Sequence, residues 1–240
     1  LQDGGMTPID QSHVALVTGG SRGLGFALTQ ELVQRGWHVI VDARDGERLR
    51  AVVGALPPAS VTAVPGDVAD PDHRRALGAA VENAGGLDLL VNNASILGPS
   101  PQPRLADYPL DVLGQVFAVN TLAPLGLLQL VLPHLEKRTG RIISVSSDAA
   151  VEAYEGWGGY GSAKAALDHL TAVLAAEQPS LRIYSFDPGD MATDLQQQAF
   201  PDEDVSDRAA PETVVPALLR LIESDLPSGR YRAADLTVAP

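Results

Sequence analysis

His13-Val-Ala-Leu-Val-Thr-Gly-Gly-Ser-Arg-Gly-Leu-Gly25 runs from an apolar segment directly into a cluster of glycines. His13–Thr18 carries no polar alternation, the pattern of a strand buried on both faces. Arg22–Arg35 then reads as a helix, with Leu24, Leu28 and Leu32 on one side. Between them lies a Gly-x-x-x-Gly-x-Gly turn on Gly19, Gly23 and Gly25. Glycines at such a junction let the backbone approach a phosphate, and the following helix offers free N–H groups and the positive end of its dipole. Alone, the cluster would be a tight turn; between a first strand and a first helix it points to a nucleotide site.

The same alternation continues along the chain. Strands are expected at Trp37–Val41, Val61–Pro65, Leu87–Val91, Arg141–Ser146 and Leu181–Phe186, with a last one at Leu236–Ala239. Helices are expected at Gly46–Leu56, Pro71–Ala84, Tyr108–Arg138 (kinked at Pro124) and Gly158–Glu177, which stops before Pro179. Strictly alternating β and α units predict an α/β fold, a Rossmann-type doubly wound parallel sheet of about seven strands in a single domain. Leu1–Gly5 precede Met6 and are expected to be a remnant ahead of the natural start, leaving residues 6–240 as the domain. Proline and acid gather at Pro99–Pro109 and Pro201–Pro211, expected as mobile loops, with a substrate loop around residues 190–211.

Composition narrows the function. The chain has 240 residues, 45% of them hydrophobic, and a formal charge of −13. That charge argues against nucleic acid or an anionic membrane as partner, and no run approaches the ~18 consecutive apolar residues of a membrane span. With no cysteine at all, disulfides, thiolate nucleophiles and cysteine-based zinc sites are excluded, and a reducing cytoplasmic home is expected. The five histidines show no ligand spacing beside a carboxylate, so no metal site is expected.

Two further features carry chemistry. Tyr160-Gly-Ser-Ala-Lys164 places a phenol and an ammonium at i and i+4, on one face of a helix. A cation beside a tyrosine stabilises the phenolate and makes the phenol a usable general acid/base. The alternative is an exposed tyrosine one turn before a surface lysine. At the end of the second strand, Val41-Asp-Ala-Arg44 holds both an acid and an arginine. An acid at the ribose position favours NAD, and an arginine accommodates a 2′-phosphate. Arg44, with Arg22 in the glycine turn, favours NADP(H) over NAD(H), unless Arg44 pairs with Asp45 or Glu47.

Thr-Gly-x-x-x-Gly-x-Gly, Asp67-Val68, Asn92-Asn-Ala-Ser95, Asn120, Ser146-Ser147, Tyr160-x-x-x-Lys164 and Pro188-Gly189 stand in an order that resembles the short-chain dehydrogenases/reductases. The likeness covers nearly all of the chain after residue 12, and length and glycine spacing look like the short members, such as β-ketoacyl-carrier-protein reductases. It implies an oxidoreductase that interconverts a carbonyl and an alcohol by hydride transfer. Tyr160 would then be the acid/base, Lys164 its pKa modifier and ribose clamp, Ser147 the holder of the substrate oxygen, and Asn120 the anchor of a water linking Lys164 to solvent. It further implies cofactor contacts from Gly19, Ser21, Arg22, Gly23, Leu24, Gly25, Arg44, Asp67, Val68, Asn93, Met191 and Thr193, besides Tyr160 and Lys164. Ser146 is expected to point away from the substrate.

The chain also departs from that pattern. Ser95 stands where glycine is usual, and Asp148 where a small apolar residue is commoner. Trp157, before Tyr160, is expected either to pack on substrate or to cap the core. Two rival functions keep the scaffold: a non-redox epimerase or lyase using the same cofactor, and a cofactor-sensing protein without catalysis. The likeness also implies a homotetramer or homodimer, with Leu113, Val116 and Leu128 of the long helix expected to face outward.

Overall fold

The structure, a computed structural model, describes residues 13–236. The expected remnant at residues 1–5 and positions 237–239 of the expected last strand lie outside them. The chain alternates strand and helix: β1 (Val14–Val17), α1 (Gly23–Gln34), β2 (His38–Ala43), α2 (Gly46–Val53), β3 (Val61–Pro65), α3 (Pro71–Asn83) and β4 (Leu89–Asn92). It continues through α4 (Leu110–Phe117), α5 (Ala123–Arg138), β5 (Arg141–Val145), α6 (Gly158–Glu177), β6 (Arg182–Asp187), α7 (Asp194–Ala199), α8 (Pro211–Glu223), β7 (Gly229–Arg232) and α9 (Ala233–Leu236). Seven strands form one parallel sheet in the order β3-β2-β1-β4-β5-β6-β7. The order reverses between β1 and β4, which opens a crevice at the carboxyl ends of the strands, where doubly wound sheets bind ligands.

Two apolar layers sandwich the sheet. One face buries Leu24, Leu28 and Leu32 of α1 with Leu218 and Leu221 of α8; the other buries Leu77 and Val81 of α3 with Leu127, Val131 and Leu135 of α5. The central strands contribute side chains to both layers, so they read as unbroken apolar runs. Truncating Leu28, 1% exposed, to alanine would cost about 2–5 kcal/mol.

Four expectations change. Among the described residues the last strand is Gly229–Arg232, which the apolar pattern did not indicate; its polar sequence is that of an edge strand with one neighbour, β6, and Leu236, the one described residue of the expected Leu236–Ala239 strand, ends α9. The long helix is interrupted by a π-turn at Ala118–Leu122, where the Ala123 N–H donates to the Ala118 carbonyl. Pro124 follows one residue later; lacking an N–H, it withholds the α-helical partner of the Asn120 carbonyl and favours such a disruption. Val116 and Leu128 point into the core, at 0% and 7% exposure, and Leu113 is half-buried; the outward apolar residues are Leu110, Leu122 and Leu130. Residues 110–138 are long and apolar enough to cross a membrane, but half of that apolar window is buried inside the fold. Residues 190–211 are not a structureless loop: they contain α7, and Met191 bridges to Ala209.

Candidate active site

Above the crevice lies a cavity of about 570 Å³. The β1–α1 turn forms one wall. Gly19 has φ +69°, and a Cβ there would meet the Ala94 backbone at 2.9 Å. A Cβ on Gly25 would sit 2.6 Å from the Gly19 carbonyl oxygen. Gly25 is therefore a packing glycine that does not line the cavity, whereas Gly19, Ser21, Arg22, Gly23 and Leu24 do. α1 has no side-chain cap and no acid in its first turn, while α2 and α3 are capped by Asp45 and Asp70. Its first N–H groups are thus left for an anion.

Asp42 is turned inward. It is 1% exposed and accepts hydrogen bonds from the Gly19 N–H (2.8 Å) and from His73 Nε2 (2.9 Å). Burial raises its pKa, and His73 and Gly19 oppose that rise. With both oxygens engaged, Asp42 braces the glycine turn and is not offered to a ribose. Arg44 is exposed on the cavity wall with no ion-pair partner among the described residues, so the expected alternative pairing to Asp45 or Glu47 is not made. Arg22 pairs with Asp194 at the start of α7, and Arg48 approaches the same carboxylate at 3.5 Å. Arg48 also lines the cavity, and nothing in its local sequence distinguishes it from any other exposed arginine of a helix.

Asp67 and Val68 line the cavity beside Ala94 and Ile96. The Asn93 side chain is spent on the Thr18 and Gly19 carbonyls (2.8 and 3.1 Å), so it locks β4 to the glycine turn and only its remaining surface faces the cavity. Asn120 is equally committed. Its amide accepts from the Ile96 N–H (2.9 Å) and donates to the Ile96 carbonyl (2.8 Å), and its side chain does not line the cavity. Met191 and Thr193 line the opposite wall, and the Thr193 hydroxyl caps α7 by accepting from the Gln196 N–H.

Tyr160, Lys164 and Ser147 meet at the far end. Tyr160 packs edge-to-face on Trp157, which also touches Phe200, so Trp157 belongs to the cavity wall. Burial pushes the Tyr160 phenol up to about 12; the neighbouring Ser95 hydroxyl lowers it, and Asp148 and Asp187 raise it. Lys164, 1% exposed, donates to the Val145 carbonyl (2.7 Å), with Nζ 5.6 Å from the Tyr160 ring centroid. The ammonium therefore lies beside the Tyr160 ring, held there by the Val145 carbonyl. Desolvation brings Lys164 down to about 8, against the pull of Asp168. The Ser147 hydroxyl donates to Asp148 Oδ1 (2.9 Å) and accepts from the Ala149 N–H, so its proton points away from Tyr160. Tyr154 donates to the other oxygen of Asp148. Ser146 is 2% exposed and its hydroxyl has no partner among the described residues; it too lines the cavity.

A basic, uncapped glycine turn that shares one cavity with a buried Tyr–Lys pair and a serine defines a dinucleotide-dependent oxidoreductase. Residues 13–204 match the family model for short chain dehydrogenases, and the chain belongs to that family. It is 34% identical to mouse sepiapterin reductase over 201 residues, 78% of this chain and 77% of that one. It is also 34% identical to bovine dehydrogenase/reductase SDR family member 4 over 203 residues, 81% of this chain and 71% of the other. Its fold superimposes on a short chain dehydrogenase of Shigella flexneri complexed with NADP, with a TM-score of 0.86, 27% identity, and coverage of 92% and 97% of the two chains.

Proposed function

We propose that the protein is an NADPH-dependent carbonyl reductase and alcohol dehydrogenase in which Tyr160 moves the proton. The carrying observation is that Tyr160, Lys164 and Ser147 occupy the same cavity as the unpaired Arg44 and the free N-terminus of α1. The glycine cradle and the orphan N–H groups fit a pyrophosphate. Arg44, with Arg22 and Arg48 drawn from Asp194, would hold a 2′-phosphate, and Asp42, at the end of β2, has both oxygens taken by Gly19 and His73. The Shigella neighbour was complexed with NADP, in keeping with this reading.

When bound, the nicotinamide supplies or accepts the hydride. The chain supplies the proton: Tyr160 donates it to the carbonyl oxygen during reduction and takes it back during oxidation. Lys164 steadies the phenolate once the ligand closes the site, and Ser147 turns from Asp148 to the substrate oxygen. Asn120 holds the Ile96 backbone. The substrate end is walled by Trp157 and Leu195, which belong to one apolar cluster with Leu97 and Ala199, and this suits a small or medium, largely apolar ketone or secondary alcohol.

Purified protein should oxidise NADPH when offered a panel of ketones and aldehydes, and binding of neither NADPH nor NADH would sink the reading. Consumption of a substrate without net change in NADPH absorbance would move it to an epimerase or lyase. Leu110 and Leu122, 79% and 59% exposed on one helix, fit burial against a second copy of the chain. Light scattering should return a dimer or tetramer, and a monomer would refute that part. The absence of cysteine fits a cytoplasmic home, which fractionation would check.

A further inference from the structure

We infer that Ser95 is a positioning residue for Tyr160: its buried, unpartnered hydroxyl in the cavity wall is the donor that meets the phenol oxygen as that oxygen gains negative charge. The inference rests on Tyr160 being the acid/base of the proposed reaction. The Ser95 Oγ is buried in the wall of the cavity that holds Tyr160, lies close enough to lower the pKa of the phenol already, and has no well-formed hydrogen bond among the described residues. A buried hydroxyl left unpaired costs about 1–3 kcal/mol, so one retained beside a reacting group has its partner in a state the resting site does not contain.

Rigidity supports the assignment. The segment around Ser95 is clamped on both sides: Asn93 is bonded to Thr18 and Gly19, and both polar backbone groups of Ile96 are taken by Asn120. Ser95 is thus held in place by two asparagines, Asn93 through its amide N–H groups and Asn120 through both ends of its amide. Of the other donors nearby, Ser147 and Lys164 are already engaged, and the Ser146 hydroxyl, also without a partner among the described residues, is not among the groups that bear on the phenol. Ser147 gives its proton to Asp148, and Lys164 gives one to the Val145 carbonyl. The charged groups that bear on the phenol are Asp148 after β5, Asp187 at the end of β6 and Lys164 on its own helix. Both carboxylates oppose a phenolate, so a neutral donor from β4 has charge to offset. During reduction Tyr160 loses its proton to the substrate oxygen, and Ser95 keeps its own while hydrogen-bonding the phenolate left behind.

The test needs neither substrate nor cofactor. Fluorotyrosine-labelled protein is titrated by fluorine NMR, with the Tyr160 resonance assigned by its loss in Tyr160→Phe; fluorination lowers the phenol pKa into the range where the fold survives. Ser95→Ala should raise the Tyr160 midpoint by roughly one pH unit. Ser95→Gly, which demands no space, should do the same, and Ser95→Thr should return the midpoint to that of the unsubstituted protein. NADPH affinity, measured by fluorescence, should be unchanged in all three. A midpoint that does not move in Ser95→Ala and Ser95→Gly overturns the inference. Because the titration is independent of turnover, the result stands even if the protein fails to reduce a carbonyl.

Discussion

At the glycine-turn end of the cavity, Asp42 spends both carboxylate oxygens on Gly19 and His73, and Asn93 spends its amide on Thr18 and Gly19. At the Tyr160 end, Ser95 and Ser146 keep buried hydroxyls without partners, and Ser147 and Lys164 hold bonds that a ligand would have to replace. The charges differ as well: Arg22, Arg44 and Arg48 line the first end, Asp148 and Asp190 the second. At one end the buried polar side chains are satisfied before any ligand arrives, which leaves the α1 N–H groups and Arg44 to receive it. The other holds polar capacity in reserve, which is what a site must do if its interactions are to strengthen in the transition state. A pre-satisfied region should respond to mutation in stability, and a reserved one in rate.

The largest expected contrast is at the reserved end. Tyr160→Phe should lower kcat by about 10³-fold while leaving NADPH affinity and melting temperature nearly unchanged. Retained turnover would remove the phenol from the reaction. The counterpart at the cradle is His73→Ala, which strands a buried carboxylate; denaturant unfolding should show a loss of about 3–5 kcal/mol. A loss below about 1 kcal/mol would mean that the pair does not brace the turn.

Smaller effects sharpen the same division. Arg44→Ala should weaken NADPH binding by about 10–100-fold and leave NADH binding unchanged, as expected for loss of a charge-assisted phosphate contact. Equal losses for both cofactors would reassign Arg44 to the shared part of the ligand.

Lys164 tests pH linkage. Its folded value of about 8 lies below the ordinary 10.5, so between those values the unfolded chain carries a proton that the folded chain lacks. Stability contributed by this group therefore rises with pH across that window, and below about 8 the fold bears the full cost of a desolvated ammonium. Lys164→Met should melt higher than the unsubstituted protein at neutral pH, by about 2–4 °C for each kcal/mol relieved, with the gap closing toward pH 10.5. A gap that is constant with pH would show that the ammonium is not desolvated as described.

The same contrast explains what the sequence could reveal. The apolar runs and their alternation give the sheet and its helices, because burial on both faces leaves the same mark on every central strand. Gly19, Gly23 and the Tyr160–Lys164 spacing are equally visible, since each depends on backbone geometry over a few residues. Edge strand β7 leaves no apolar run to read, because Gly229–Arg232 is polar and pairs on one side only. The inward turn of Asp42 could not be read, because its partner His73 lies 31 residues away on another helix. Nor could the commitment of Asn120 to Ile96 or of Ser147 to Asp148, since the identity of a residue does not tell which of its hydrogen bonds is made. Arg48 joins the cavity only because α2 leans its first turn over the groove.

The central claim is that one cavity joins an NADPH cradle to a tyrosine that moves a proton. Its most direct measurement is paired: NADPH affinity by fluorescence and carbonyl-dependent NADPH oxidation, each for the unsubstituted protein and for Tyr160→Phe. The account predicts equal affinity in both proteins and turnover in the unsubstituted protein alone. Equal turnover in the two proteins, or no NADPH binding in either, would contradict it.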